Sequence, residues 1–519
     1  MDKDWESTVN RIFKQARKDL YYPPIVKVEP AEVQTSEIDF SGRKYKIHLG
    51  RKIIKRLSQE ALLGMFHHEL NHWAKHPYDA KTIILECHFL GEISNKDAIR
   101  NLYDDVVTNL DLIINKGLEH IAQVYRELPA ISKMDRLLRG FYQEVTGIDF
   151  GKIGFEEKFK QKLKRLCEID FLDTHKVRLK TNIRQFAQII EDLVDEQIQL
   201  PFSIFSHKDL GPEEIKRAMR DIAKEVDPQE YKRITEEVLK DIKLDVKEGK
   251  EKQEAGISPG EKTLLKELKR PDVGWYKIRA QRYAIYIEAL SKKGSLYPSE
   301  ISDFGLDDSI DTFHAIESYG KVLPGLAKKF KLEEFEGHEE ISIPDAIIII
   351  DSSGSMRNPD KETSYAVLGA FSIARNYLEH GSRVGVINFS NANLELELTK
   401  NRDKVYEMLK TYQGGGTTLH LNDLQQYMAK MSGREMDYIL MTDAGIDNIQ
   451  KVVDYFSRLK SRLTIIWIKS DVKEYERFQK CCELLREKLP ASVTFIEVED
   501  EKDIPRIAVG KSFGVYAGH

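Results

Sequence analysis

Between Asp345 and Asp351 the chain reads Asp-Ala-Ile-Ile-Ile-Ile-Asp. Four successive isoleucines flanked by carboxylates fit a strand buried on both faces, as a central parallel strand is. That reading constrains what surrounds it, because parallel strands need crossover connections, usually helices, that cover the sheet. The downstream sequence supplies them. Strand patterns fall at 345–351, 383–390, 394–399, 437–443, 463–469 and 492–498, and helical patterns at 363–380, 401–411, 420–431, 448–460 and 472–489. The expectation for 341–519 is an α/β unit with a doubly wound, mostly parallel, Rossmann-like sheet. The stretch 394–399 follows its neighbour after a short turn and reads as an antiparallel edge strand.

The loop after this strand carries the chemistry. Asp351 is followed by Ser-Ser353-Gly-Ser355, one carboxylate and two hydroxyls at the end of a strand where α/β sheets place their ligands. These are hard oxygen donors suited to Mg²⁺. Further on, Gly414-Gly-Gly-Thr417-Thr418 forms a second hydroxyl-bearing loop, and Tyr438-Ile-Leu-Met-Thr-Asp443-Ala-Gly445 is another apolar strand ending in a carboxylate. Taken in this order, the three motifs resemble the metal-ion-dependent adhesion site of von Willebrand factor A (VWA) domains. The resemblance implies Mg²⁺ held by Asp351, Ser353, Ser355, Thr417 and Asp443, with one position left for a partner's carboxylate. Ala444 stands where that family often has glycine, a change expected to leave Asp443 undisturbed. The chain has neither a Walker loop nor G-x-G-x-x-G, and no Lys-Ser/Thr follows Gly414–Gly416, so ATP is not an expected ligand.

The N-terminal part has a different grammar. Residues 4–19 read as an amphipathic helix ended by Pro23 and Pro24, with strands at 25–29 and 43–49. A long helix is expected from about Ile53 to Lys75, closed by His76-Pro77, with further helices around 79–91 and 97–115. Inside the long helix lies His68-Glu69-Leu-Asn-His72. Helical spacing stacks His68 and His72 on one face, where they can share Zn²⁺, and Glu69 beside them can take a proton from water. A third ligand is required. The stretch Asn101-Leu-Tyr-Asp104-Asp105-Val-Val-Thr-Asn109 offers Asp105, with Asn109 one turn on as its orienting partner. Asp104 points about 100° away and reads as solvated or capping. Glu86 and His88 are alternatives. His76 cannot join the same ion from a third turn of a straight helix, so it reads as a helix-end cation or a group behind the ligands. A metal-free reading, with the two histidines and Glu69 packed on a buried helix, stays open. The metzincin pattern wants histidine at Tyr78 and is excluded.

The chain has 519 residues, more than one core can serve, with 32% charged residues and a net charge of −5, which argues against a general nucleic-acid binder. Its four cysteines show no C-x-x-C spacing. The charged N-terminus lacks a signal-peptide core, and no apolar run of ~18 residues suggests a membrane span, so the expected compartment is the cytoplasm. Residues 131–270 read as helical and charged, with 239–270 a weakly ordered connector, and 271–340 as a segment packed on the C-terminal domain.

Three features, the H-E-x-x-H helix with its trailing His76-Pro77, the Asp105–Asn109 helix and the complete C-terminal metal site, together resemble the prokaryotic family of VWA-containing metallopeptidases. The resemblance covers both ends of the chain and covers 131–270 poorly. It implies a zincin-like α+β domain over 1–130, with Zn²⁺ on His68, His72 and Asp105 and Glu69 as general base. It also implies a peptide or protein substrate and a partnership with a MoxR-type AAA+ ATPase. Two function classes follow: a zinc peptidase that recruits through its VWA domain, and a Mg²⁺-dependent adaptor whose zinc fold is structural. The intact Glu69 favours the first.

Overall fold

The computed structural model describes residues 3–25, 27–31, 36–39, 46–50, 56–130, 132–151, 157–194, 210–252, 268–288, 290–291, 296–305, 308, 310–323, 327–334, 341–430, 436–459, 461–469 and 475–510. The chain falls into two compact units, Met1–Trp275 and Tyr276–His519. The described helices between 132 and 252 therefore belong to the first unit.

The first unit opens with helix α1 (Lys3–Asp19), then β1 (Lys27–Ala31), β2 (Ser36–Asp39) and β3 (Lys46–Gly50). These strands form a small sheet in the order β1-β3-β2, parallel between β1 and β3 and antiparallel between β3 and β2. Three helices then carry the site: α2 (Gln59–Ala74), α3 (Ala80–Leu90) and α4 (Lys96–Leu110), the last running into a π-helical turn at Asp111–Asn115. Helix α2 starts at Gln59, later than the apolar pattern suggests, because the Ser58 side chain caps it by accepting from the Ala61 amide. Residues 51–55, where the pattern begins, lie outside the described residues. Helix α5 (His120–Glu127) crosses α2 at Gly64 so closely that a Cβ there would lie 2.2 Å from the His120 carbonyl oxygen. Glycine is what permits that approach. The charged run after Leu239 does not begin as a loose connector: a helix continues from Pro228 to Lys252. Its glutamates and lysines are good helix formers, so helix propensity outweighs the scarcity of apolar residues.

In the second unit, six strands form one sheet: β4 (Asp345–Asp351), β5 (Val384–Phe389), β6 (Asn393–Thr399), β7 (Met436–Thr442), β8 (Arg462–Ile468) and β9 (Thr494–Val498). Their spatial order is β6-β5-β4-β7-β8-β9, parallel throughout except for β6, which pairs antiparallel with β5 at one edge. This is the mixed α/β, doubly wound architecture expected from the strand and helix alternation. Ala346–Ile349 are fully buried, as a strand flanked on both sides and covered on both faces requires. The order reverses at β4, whose carboxyl end delivers Asp351 to the crevice between outgoing loops. The segment before the sheet is tied to it: the Tyr276 hydroxyl accepts from the Ser364 amide at 3.0 Å, and Tyr286–Ile287 pairs with Ala508–Val509.

Candidate metal centres

Helix α2 runs buried from Met65 to His72, so its histidines and Glu69 have no water to satisfy them. His68 Nε2 and His72 Nε2 lie 3.0 Å apart, and each is 3.4 Å from Asp105 Oδ1 on α4. Tetrahedral zinc with bonds of about 2.0–2.1 Å separates its ligand atoms by roughly 3.3 Å, so this triangle has the dimensions of one tetrahedral face. The outer nitrogens fix the tautomers. His68 Nδ1 lies 2.7 Å from Asn109 Oδ1, and His72 Nδ1 lies 2.9 Å from the His76 carbonyl oxygen. Both acceptors require the proton on Nδ1, which leaves the two Nε2 lone pairs facing each other and Asp105. Asp105 Oδ1 is buried without a hydrogen bond. Two lone pairs and a carboxylate converging in a dry interior are the donor set a dication satisfies, and the residues fit Zn²⁺.

The electrostatics agree. Burial opposes charge on His68, but Asp105 outweighs it and raises the histidine; burial and then His68 lower His72. Burial works against ionised Asp105, yet the two histidines hold its carboxyl below the usual range. Asn109 differs from expectation: it orients His68, not Asp105, and is itself positioned by donating to the Tyr142 hydroxyl at 3.0 Å. Thr108 was not among the residues singled out by sequence, and its hydroxyl donates to the His76 carbonyl at 3.1 Å. Glu69 is fully buried next to His68 in the chain and is not one of the three converging ligands. His67 turns away and lies 3.0 Å from Asp19 on α1.

Asp104 is neither solvated nor a cap. It is fully buried, with Oδ2 accepting from Arg100 at 2.7 Å and Oδ1 3.3 Å from His76 Nε2. Glu86 of α3 lies 2.6 Å from the same nitrogen. Neither Glu86 nor Asp104 reaches the His68–His72 pair as a third ligand; with His76 they form a separate buried group. His88 lies near Glu237, 3.0 Å away, and is not in either group. An acid inside the apolar run Ile83-Ile84-Leu85-Glu86-Cys87 was the sequence signal for this group. Burial opposes a charge on His76, but Glu86 and Asp104 outweigh it and hold the imidazolium up to about 10, while burial and then Asp104 raise Glu86.

In the second unit, backbone hydrogen bonds lock three loops together. The Gly414 amide donates to the Ser352 carbonyl at 2.9 Å, the Gly354 amide to the Gly415 carbonyl at 2.8 Å, and the Asp447 amide to the Thr417 carbonyl at 2.8 Å. Asp351, Ser353, Thr417 and Asp443 are buried at the junction, with Ser355 half-buried. The Ser353 and Ser355 hydroxyls lie 3.0 Å apart. Asp351 accepts from the Thr442 hydroxyl at 2.7 Å and the Ser353 amide at 2.9 Å, both neutral donors. Thr442 escaped the sequence reading; the parallel register that sets Met441 opposite Ile350 brings it to Asp351. Burial, and after it the neighbouring Asp443 carboxylate, push Asp351 up to about 7. Two neighbouring buried carboxylates, Asp351 among them held by neutral donors, are a fit for a hard dication such as Mg²⁺. Ala444 is not a neutral replacement: it sits at φ +71°, in the left-handed region that glycine occupies without strain.

Residues 346–445 match the model of the von Willebrand factor type A domain family. No curated protein matches the chain. Among solved structures, an aerotolerance-related membrane protein from Bacteroides fragilis NCTC 9343, carrying multiple mutations to serines, aligns over 32% of this chain and 100% of its own. The identity is 13% and the TM-score 0.23, too low to bear on the fold. Among the described residues, no helix is long and apolar enough to cross a membrane.

Proposed function

We propose, starting from a von Willebrand factor A domain at 346–445, that this protein pairs Mg²⁺-dependent capture of a protein partner with zinc-dependent peptide hydrolysis. VWA domains commonly mediate metal-dependent protein interactions. Here Asp351, Ser353, Ser355, Thr417 and Asp443 would hold Mg²⁺, and a partner's Asp or Glu would complete its coordination. A MoxR-type AAA+ ATPase is the partner that the family resemblance suggests.

For the N-terminal unit, the carrying observation is the 3.0–3.4 Å triangle of His68 Nε2, His72 Nε2 and Asp105 Oδ1. Zinc held there supplies Lewis-acid polarisation of a peptide carbonyl. Glu69 takes the proton from the attacking water and returns it to the leaving amine. Asn109 and the His76 carbonyl keep both imidazoles in the ligating tautomer. Burial supports a second reading. Glu69 and both histidines are wholly enclosed, which suits a structural zinc that stiffens the unit, leaving the protein a Mg²⁺-dependent adaptor.

Glu69→Gln separates the two. Hydrolysis predicts unchanged zinc content and a loss of peptide cleavage by about two to four orders of magnitude. Substrates can be sought by trapping proteins on E69Q with Mg²⁺ and the ATPase, then offering them to wild type. Cleavage of none of them by zinc-loaded wild type would select the adaptor reading.

A further inference from the structure

Beside the His68–His72–Asp105 triangle, the first unit buries another convergent group that the hydrolytic reading does not use. His76 follows α2, Glu86 lies on α3 and Asp104 on α4, and none is more than 1% exposed. Their ligand atoms lie within 4.8 Å of one another. Five of their polar atoms, both ring nitrogens of His76, both oxygens of Glu86 and Oδ1 of Asp104, are buried without a well-directed hydrogen bond. Buried polar atoms are nearly always satisfied, because an orphan forfeits its bonds to water and gains none in return. Three of the five converge, His76 Nε2 lying 2.6 Å from Glu86 Oε1 and 3.3 Å from Asp104 Oδ1, and packing alone does not explain that.

The remaining contacts leave that spot open to a cation. Arg100 binds Asp104 through Oδ2, so Oδ1 stays directed at His76. The Tyr103 ring packs edge-on at 5.9 Å from the His76 ring and fixes its plane. Glu86 Oε1 approaches His76 Nε2 to 2.6 Å, yet the pair fails the directional requirement of an N–H···O bond. Asp104 Oδ1, 3.3 Å from the same nitrogen, already has the spacing of two ligands of one ion, and Glu86 Oε1 would draw back to that spacing as an ion enters.

We propose that His76, Glu86 and Asp104 form a second divalent-metal site, taking a first-row transition ion such as Zn²⁺ through one imidazole and two carboxylates. The site is joined to the first through the backbone. The His76 carbonyl accepts from His72 Nδ1 at 2.9 Å, and Asp104 and Asp105 are consecutive on α4. An ion clamping the His76 ring therefore steadies the carbonyl that sets the His72 tautomer, making this a positioning site for the first. Removing such supports typically costs 10–100-fold in metal affinity.

The test is zinc stoichiometry of the metal-stripped full chain, titrated against a chromophoric chelator with Mg²⁺ in excess to keep the VWA site filled. Wild type should bind two zinc ions, E86Q and H76Q one each, H68A one, and H68A/E86Q none. In E86Q the surviving site should bind zinc about tenfold more weakly or worse. Circular dichroism checks the fold, and H76Q gives the count if E86Q does not fold. Should E86Q and H76Q both keep the wild-type count, the group is a metal-free charge network around Arg100 and the proposal is wrong. It is equally wrong if wild type binds one ion that H68A loses and E86Q keeps, although the first site then stands. One ion lost in E86Q and kept in H68A would uphold this site and sink the other.

Discussion

Replacing Asp351 with asparagine should make the metal-free protein more stable, although it removes a metal ligand. In the folded chain, burial and then Asp443 raise this carboxyl from an ordinary 3.8 to about 7. At ~1.4 kcal/mol for each tenfold change in proton affinity, ionising it inside the fold costs about 4 kcal/mol. The folded state therefore binds the proton more tightly than the unfolded state. The associated stability is complete below pH 3.8 and is lost as the pH rises through about 7. Calorimetric melts in EDTA from pH 5 to pH 8 should show the second unit of wild type weakening with pH. In D351N that slope should be flattened and stability at pH 8 should be higher by about 2–4 kcal/mol, the range allowing for the hydrogen bonds that asparagine remakes imperfectly. Mg²⁺ at a hundredfold excess over its dissociation constant should then add about 2.7 kcal/mol to wild type and little to D351N. Equal pH slopes in the two metal-free proteins, or equal stabilisation of both by Mg²⁺, would refute the argument that two buried carboxylates share a cation site.

Other substitutions probe the same logic elsewhere. Ala444→Gly should stabilise the second unit by about 1 kcal/mol, because φ +71° costs alanine and not glycine; an unchanged midpoint in urea would show the strain is absent. Gly64→Ala should destabilise the first unit by at least 1–3 kcal/mol, since the new methyl meets the α5 backbone at 2.2 Å; denaturant titration reads this directly. Asp105→Ala should weaken zinc at the His68–His72 pair by orders of magnitude, while Asp104→Ala should act there only as strongly as loss of a supporting group, about 10–100-fold. The reverse ranking would exchange their roles.

Periodicity and composition by themselves determined the six-stranded sheet of the second unit. A strand of consecutive isoleucines can be satisfied only between neighbours and under helices, and the intervals between strands leave room for one crossover each. The edge position of β6 followed from a turn too short for a crossover. Spacing also determined that His68 and His72 share a face of α2. Other features depended on tertiary structure. Every residue from Leu102 to Leu110 is buried, so α4 has no solvent face against which a helical phase could be read, and reasoning from 100° per residue placed Asp104 in water. Which acid meets which histidine depends on how α2, α3 and α4 pack, and that packing rests on contacts such as the one at Gly64 that leave no local trace in sequence. The same holds for Thr442 and Ala444. One reaches Asp351 through strand register and the other is strained by a loop conformation, and neither effect belongs to the residue alone.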